Sequence, residues 1–349
     1  MLEANGGQLL SIIIVIMKSF IRLLSLVIVS LLSSPAVTAQ QPTPKSSPTP
    51  AAPVRDDDEG VVRIREVRVP VTVLDNKKQP VAGLTREDFV IMEDKTARPV
   101  LGFTDEKNNP PVFVAVLMDT SPSTAGKLKF EKEAAKSFLF EVMRLRKDQA
   151  AFATFDHKME LLQDFTDNQD KLVKAVDQVK TTGTHTALYD AVWQVCDEKM
   201  RTTQGRRVIV IITDGEDTYS RARLEEAIDI ANRTETIIFA VSTKAGFLGS
   251  VPGVGAGTVK DDVDKKLERL ARETGGEVFF TGDILSLERA FTRISKELRS
   301  QYILTYKPAN DRYDGTERNI EVRLNKQNDG YKIRAKKSYR AVNDNISKP

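Results

Sequence analysis

The spacing of apolar residues changes character several times along the chain. Residues 23–32 form a compact apolar run, with a second apolar patch at 9–16. Residues 40–60 show no such patterning. Between 61 and 104, apolar positions alternate with polar ones. Val67, Val69, Val71 and Val73 are separated by Arg, Pro and Thr, the period of a strand buried on one face. Phe89, Ile91 and Glu93 continue that alternation, and Thr85-Arg86-Glu87-Asp88 before them has the spacing of a capped helical turn. From Pro111 the pattern is different. Unbroken apolar runs of strand length at 112–118, 207–213 and 236–241 alternate with segments of helical period. Such runs predict strands covered on both faces by helices. Helices are expected over 127–144, 168–179, 186–200, 224–232, 263–273 and 285–298. Further strands are expected at 150–155 and 277–280, with an antiparallel edge at 158–162.

This alternation predicts an α/β fold with a doubly wound, mostly parallel sheet over residues 110–300. Beyond it, 302–306, 320–324 and 331–335 alternate again. Neither the flank at 61–104 nor the one at 301–340 has enough strands to cover its own apolar face. The two are therefore expected to pair in one small β-sandwich, with the α/β domain inserted between them and Asp119 facing away. Residues 341–349 are read as a tail.

Composition adds limits. The chain has 349 residues, 40% hydrophobic and 29% charged, with net charge +3. That is a globular balance. No Lys/Arg block interleaved with aromatics is present, so a nucleic-acid partner is not expected. Cys196 is the single cysteine and excludes an internal disulfide; within an apolar helical pattern it reads as a small buried hydrophobe.

Lys18 and Arg22, the run at 23–32 and Ser33-Ser34-Pro35-Ala36-Val37-Thr38-Ala39 have the order of a signal peptide over 1–39, cleaved after Ala39. A start at Met17 would make it a conventional signal. The competing reading, an uncleaved anchor over 9–32, would hold Lys18 and Arg22 mid-span at about 2.5–3.5 kcal/mol each. The cleaved form is preferred, leaving no stable membrane span, and no cysteine stands at the cleavage point to accept lipid. The protein is expected to be exported, to the periplasm or the medium. The Pro/Ser/Thr-rich stretch 40–60 reads as an extended linker, and Asp56-Asp57-Asp58-Glu59 as a solvated charge run.

The candidate chemistry lies at strand ends. Asp119 terminates the first apolar run, at the edge where open α/β sheets bind ligands. Ser121 and Ser123 follow at alternate positions, with Pro122 stiffening the turn. One carboxylate and two hydroxyls suit a hard cation, although the same residues also serve as turn and helix-cap partners. A second apolar strand ends in Asp214. Between them, Gly183-Thr184-His185-Thr186-Ala187-Leu188 places threonine hydroxyls on a loop opening a helix.

Asp119-x-Ser121-x-Ser123, a Thr in a Gly-containing loop and Thr213-Asp214-Gly215 together resemble the metal-ion-dependent adhesion site of von Willebrand factor type A domains, over residues 111–299. The resemblance implies a Rossmann-like fold binding one divalent cation, usually Mg²⁺, with Mn²⁺ or Ca²⁺ as alternatives. Ser121, Ser123 and the Thr would coordinate it, with Asp119 and Asp214 acting mainly through water or hydrogen bonds. Thr186 fits best, because Ala191 five residues on suits the family's following helix; Thr184 is the alternative. The flanking β segments resemble an exported bacterial subgroup.

Enzyme readings fare poorly. A haloacid-dehalogenase-like phosphatase needs an Asp where Ser121 stands. No GxxxxGK[ST] loop is present, and His157 and His185, the two histidines, accompany no GxSxG elbow. His157 reads as exposed, and His185 as a solvated loop residue or a ligand contact. The expected function is non-enzymatic: a metal-dependent binding module that captures an Asp or Glu of a protein partner. The alternative is an envelope structural or assembly protein in which the metal is incidental.

Overall fold

The computed structural model describes residues 66–180, 183–214, 216–244, 261–281, 283–310, 312, 314–325 and 330–341. The expected signal segment and linker, most of the tail and the Gly-rich stretch 246–257 lie outside the described residues. In chain order, the strands of the N-terminal flank are β1 (Val67–Leu74), β2 (Phe89–Glu93), β3 (Thr96–Arg98) and β4 (Gly102–Thr104). The α/β domain follows, with β5 (Val112–Asp119), α1 (Leu128–Val142), β6 (Gln149–Phe155), β7 (Met159–Thr166), α2 (Gln169–Gln178) and α3 (Leu188–Glu198). It continues with β8 (Arg206–Thr213), α4 (Leu224–Arg233), β9 (Thr236–Ser242), α5 (Asp262–Glu273), β10 (Val278–Phe280) and α6 (Ile284–Ser300). The C-terminal flank adds β11 (Tyr302–Tyr306), β12 (Glu317–Leu324), β13 (Lys332–Ala335) and β14 (Ser338–Arg340).

The central sheet has the order β10-β9-β8-β5-β6-β7. Its pairings are parallel except at the β6–β7 edge, which is antiparallel. The expected doubly wound sheet is thus observed. Alternate residues of β5 serve two cores. Val112, Val114, Val116 and Met118 join Phe138 of α1, Leu172 of α2 and Phe291 of α6, with the Phe138 and Phe291 rings stacked at 4.7 Å. Ala115 and Leu117 face Val192 of α3, Ile228 of α4 and Leu267 of α5. An apolar run reads as continuous when both faces of its strand are covered.

Several helices start where the sequence supplies a cap. Asn168, Asp261 and Asp283 each accept a hydrogen bond from the backbone of the first turn of α2, α5 and α6. Helix α3 is shorter than its apolar period suggests. Thr186 N donates to Thr218 Oγ1 and Ala187 N to Asp156 O, so the expected first residues are held in the preceding loop. Past its far end, Met200–Thr202 tightens into a 3₁₀ turn.

The flanks form two antiparallel sheets, β13-β1-β11-β4 and β14-β12-β2-β3. Each contains strands from both flanks; Val69 pairs with Leu304 and Ile91 with Val322. Their facing sides share one core, in which Val69, Val71, Ile91, Tyr302, Leu304 and Tyr306 are fully buried. The runs at 67–73 and 320–324 therefore lie in opposite sheets of one sandwich. Glu93 is buried within it and accepts hydrogen bonds from Tyr339 Oη (2.7 Å), Ala309 N (2.8 Å) and Tyr306 Oη (3.3 Å), with Arg98 3.5 Å away. A buried carboxylate is tolerated only with such a set of partners.

Both ends of the α/β domain leave at the amino edge of the parallel strands, opposite Asp119. Asn109 Nδ2 donates to Arg299 O (2.9 Å), and Gln301 Nε2 to Thr72 Oγ1 (3.3 Å). Arg334 of β13 forms ion pairs with Glu277 and with Glu297 of α6, and Arg293 also pairs with both. Among the described residues no helix is long and apolar enough to cross a membrane.

Ending the chain at Ser300 removes both partners of β1 and one of the two partners of β2, leaving β2 paired only with the short β3. The truncated protein should aggregate through the exposed valine face. Amides of β1, protected from hydrogen exchange in the full chain, should exchange freely. Equal protection in both forms would contradict this account of the sandwich.

Candidate metal centre

Parallel pairing sets the site. Met118 aligns with Ile212, so Asp119 and Thr213 emerge side by side at the carboxyl edge of the sheet. Asp119 is fully buried. Its Oδ2 accepts from Thr213 Oγ1 (2.7 Å) and its Oδ1 from Ser121 N (2.8 Å). Burial pushes the Asp119 carboxyl up to about 6; the Thr213 and Ser121 hydrogen bonds lower it, and the neighbouring Asp214 raises it further.

Pro122–Thr124 forms a 3₁₀ turn after Ser121. Thr124 Oγ1 donates to Ser121 O (2.8 Å), and the turn brings Ser121 Oγ within 2.9 Å of Ser123 Oγ. Ser121 is buried and Ser123 exposed, so the pair spans the surface. Asp214 is partly buried, and its carboxylate makes no hydrogen bond or ion pair with the described residues.

The threonine loop is pinned on two sides. Gly183 packs so closely on Asp156 that an added Cβ would lie 2.3 Å from the Asp156 Cβ. Thr218 N and Tyr219 N both donate to Thr186 O, at 2.8 and 3.1 Å. Thr186 is buried beside this network. Thr184 is exposed, and its hydroxyl is held at 2.7 Å from His185 Nδ1. His185 in turn packs on Tyr219, ring centroids 4.6 Å apart. His157 sits outside this loop, with Nδ1 2.7 Å from Asp156 Oδ1.

Three acidic side chains that the sequence did not single out frame the site. Ala187 has no side-chain oxygen to cap α3. Asp217 supplies it instead, accepting from Leu188 N (2.8 Å), Tyr189 N (3.4 Å) and Ser220 Oγ (2.5 Å). Asp190 returns the contact by accepting from Ala222 N (2.8 Å) and Arg221 N (3.1 Å). The loop after Asp214 and the loop carrying Thr186 are thereby stitched into one body.

Glu131, on the first turn of α1, is 1% exposed, and neither carboxylate oxygen has a hydrogen-bond partner among the described residues. Burial pushes it up to about 7; the Thr243 hydroxyl nearby and the Lys127 ammonium pull it down without offsetting that, and Asp119 and Asp214 push it up. Lys127 Nζ itself donates to Thr243 O (2.5 Å), and Thr243 N to Thr213 O (2.9 Å). The signal missed in the sequence was an acid on the inward side of an amphipathic helix.

Among the described residues no three His, Cys, Asp or Glu side chains converge as a metal-binding cluster. Asp119, Ser121, Ser123 and Thr213 are joined by hydrogen bonds with Asp214 beside them, carboxylate and hydroxyl oxygens whose chemistry suits a hard divalent cation. A desolvated Asp119 beside Asp214, which has no partner among the described residues, is a concentration of negative charge that such an ion would neutralise.

Residues 114–293 match the model of the von Willebrand factor type A domain, and the chain belongs to this family, whose fold serves metal-dependent adhesion and protein interaction. No curated protein matches the chain. Solved structures that resemble it include a von Willebrand factor type A protein from Catenulispora acidiphila, 14% identical, covering 80% of this chain and 74% of its own, TM-score 0.44. Another is an aerotolerance-related membrane protein from Bacteroides fragilis, 16% identical, covering 54% of this chain and 98% of its own, TM-score 0.44. A third is proximal thread matrix protein 1 from mussel byssus with a zinc-occupied adhesion-site motif, 16% identical, covering 57% of this chain and 48% of its own, TM-score 0.45.

The raised carboxyl of Glu131 has a consequence for stability. The folded state holds this proton more tightly than the unfolded state does. Its contribution is therefore lost as pH climbs from the unfolded value near 4.5 to about 7. Glu131→Gln should match wild type at pH 4 and exceed it at pH 8 by about 1–3 kcal/mol in urea unfolding with EDTA present. An equal difference at both pH values would count against a buried, proton-holding Glu131.

Proposed function

We propose that the chain is an exported interaction module which binds one divalent cation and uses it to capture an Asp or Glu carboxylate of a protein partner. Mg²⁺ is the expected ion, with Mn²⁺ or Ca²⁺ as alternatives. One observation carries the reading: a fully buried Asp119, tied to Thr213 and to Ser121 N, stands beside an Asp214 without partners among the described residues and a Ser121–Ser123 hydroxyl pair reaching the surface.

In this reading Ser121, Ser123 and Thr186 offer neutral oxygens to the ion. Asp119 holds the Ser121 loop in place through its backbone N–H, and Asp214 supplies negative charge. Thr186 is preferred over Thr184, because the Thr184 hydroxyl is engaged with His185. The ion, when bound, supplies an electron-poor centre that still seeks an anionic oxygen, because its protein donors are mostly uncharged. Ser123, His185 and Tyr219 are exposed around the site and offer a surface to whatever brings that carboxylate.

Calorimetric titration of residues 61–349 with Mg²⁺ or Mn²⁺ should give one bound ion. Asp119→Ala and Ser121→Ala should abolish it, and Thr186→Ala should weaken it far more than Thr184→Ala. Equal metal content in wild type and the first two variants refutes the site. Crosslinked partners should be recovered from cells and lost with EDTA.

Export is tested separately. Mass spectrometry of the native protein should find Gln40 as its first residue; retention of residues 9–32 on a membrane-bound form would overturn the cleaved signal.

A further inference from the structure

A second cavity lies at the opposite end of the α/β domain, where that domain meets the sandwich. It is a cleft of about 660 Å³ between the outer face of the β13-β1-β11-β4 sheet and the amino edge of the central sheet. That volume lies in the range of small-molecule sites, which favour such junctions. Pro70 and Ile303 give it apolar walls.

Its charge is one-sided. Arg68, Arg206 and Arg207 line the cleft against a single acid, Glu235. Glu235 lies 3.8 Å from Arg207, which leaves Arg68 and Arg206 without an anionic partner among the described residues. Arg206 is 6% exposed. Its two terminal nitrogens reach Leu298 O and Gln301 Oε1, both neutral, and its Nε has no partner. Burial pushes this guanidinium down to about 9, with Arg144 lowering it and Asp148 raising it. On the facing wall, the buried Thr104 hydroxyl is also unpaired. A buried cation without a counter-charge is costly, and an unpaired donor beside a cavity calls for a water, an ion or a ligand group.

We infer that this cleft is a binding site for a small organic carboxylate with an apolar body, its anion drawn to Arg68 and Arg206 and its body laid against Pro70 and Ile303. The site is independent of the metal centre and lies at the other edge of the sheet.

The test is a calorimetric titration of the full chain in EDTA, so that no bound ion contributes. The probes are hippurate, its neutral analogue hippuramide, and inorganic phosphate, an anion without an apolar body. Hippurate should saturate one site. Hippuramide and phosphate should each bind at least about tenfold more weakly, since a hydrogen bond to a charged group is worth about 1.5–3 kcal/mol. Because Arg206 also anchors the end of α6, its replacement risks misfolding, so the exposed Arg68 is the first variant. Arg68→Gln should weaken hippurate about tenfold, and Ile303→Trp, which fills the cleft, should abolish binding while leaving the thermal midpoint close to wild type. Absence of saturable hippurate binding, equal binding of hippurate and either control, or indifference to both substitutions would overturn the assignment.

Discussion

The register between β5 and β8 is the constraint on which the carboxyl edge depends. Their parallel pairing runs from Val112–Arg206 to Met118–Ile212, and both strands are apolar on both faces. A shift of one residue would turn every side chain to the other core. With that register fixed, Asp119 and Thr213 can only emerge together, and their 2.7 Å hydrogen bond follows. The start of β5 is clamped as firmly. Asp148 accepts from Val112 N (2.9 Å) and pairs with Arg144 through Nε (2.7 Å) and Nη2 (2.8 Å). The rigid strand therefore delivers a buried carboxylate to the same place in every molecule, whether or not the loops around it move.

The same topology separates two tasks. Parallel strands have all their carboxyl ends on one edge, and the loops there carry Ser121, Thr186 and Asp214. The chain enters and leaves the domain at the other edge, and there the sandwich is attached. The seam is polar but mostly paired: Arg334, Arg293, Glu277 and Glu297 form one network. Such a buried network is weak evidence of net stability, yet breaking it by removing one partner leaves an uncompensated charge. It holds the two layers in one orientation more than it glues them.

Much of this was legible in the sequence because it rests on periodicity. Unbroken runs such as 112–118 announced a sheet covered on both faces, and alternation in 67–73 and 320–324 announced strands needing a shared cover. Asp119 and Asp214 stood out as the first polar residues after those runs. What escaped depends on contacts distant in sequence. Asp217 caps a helix whose own preceding residue is Ala187, and nothing local marks an acid as the cap of a helix that starts earlier in the chain. The short strands β3, β4 and β14 carry too few residues to show a period. The Arg206 environment was hidden as well, since an Arg at the head of an apolar strand reads as solvated until the sandwich is placed over it.

Unpaired buried polar atoms are uncommon in folded proteins, and their location here is informative. Among the described residues, side-chain oxygens of Glu131, Ser242 and Thr243 lack partners at the carboxyl edge, whereas Thr104 Oγ1 and Arg206 Nε lack them in the basal cleft. Asn109, Arg334 and Arg206 are each bonded through other atoms, and Ser295 of α6 and Arg98 of β3 also carry an unpaired atom. A sequence under selection for stability alone would fill such positions with apolar residues or complete the pairs. Local rules are broken chiefly where function requires it. The unpaired atoms at the carboxyl edge lie beside the proposed metal centre, and those of Thr104 and Arg206 line the proposed carboxylate site, so both proposals rest on groups whose pairing the fold leaves incomplete.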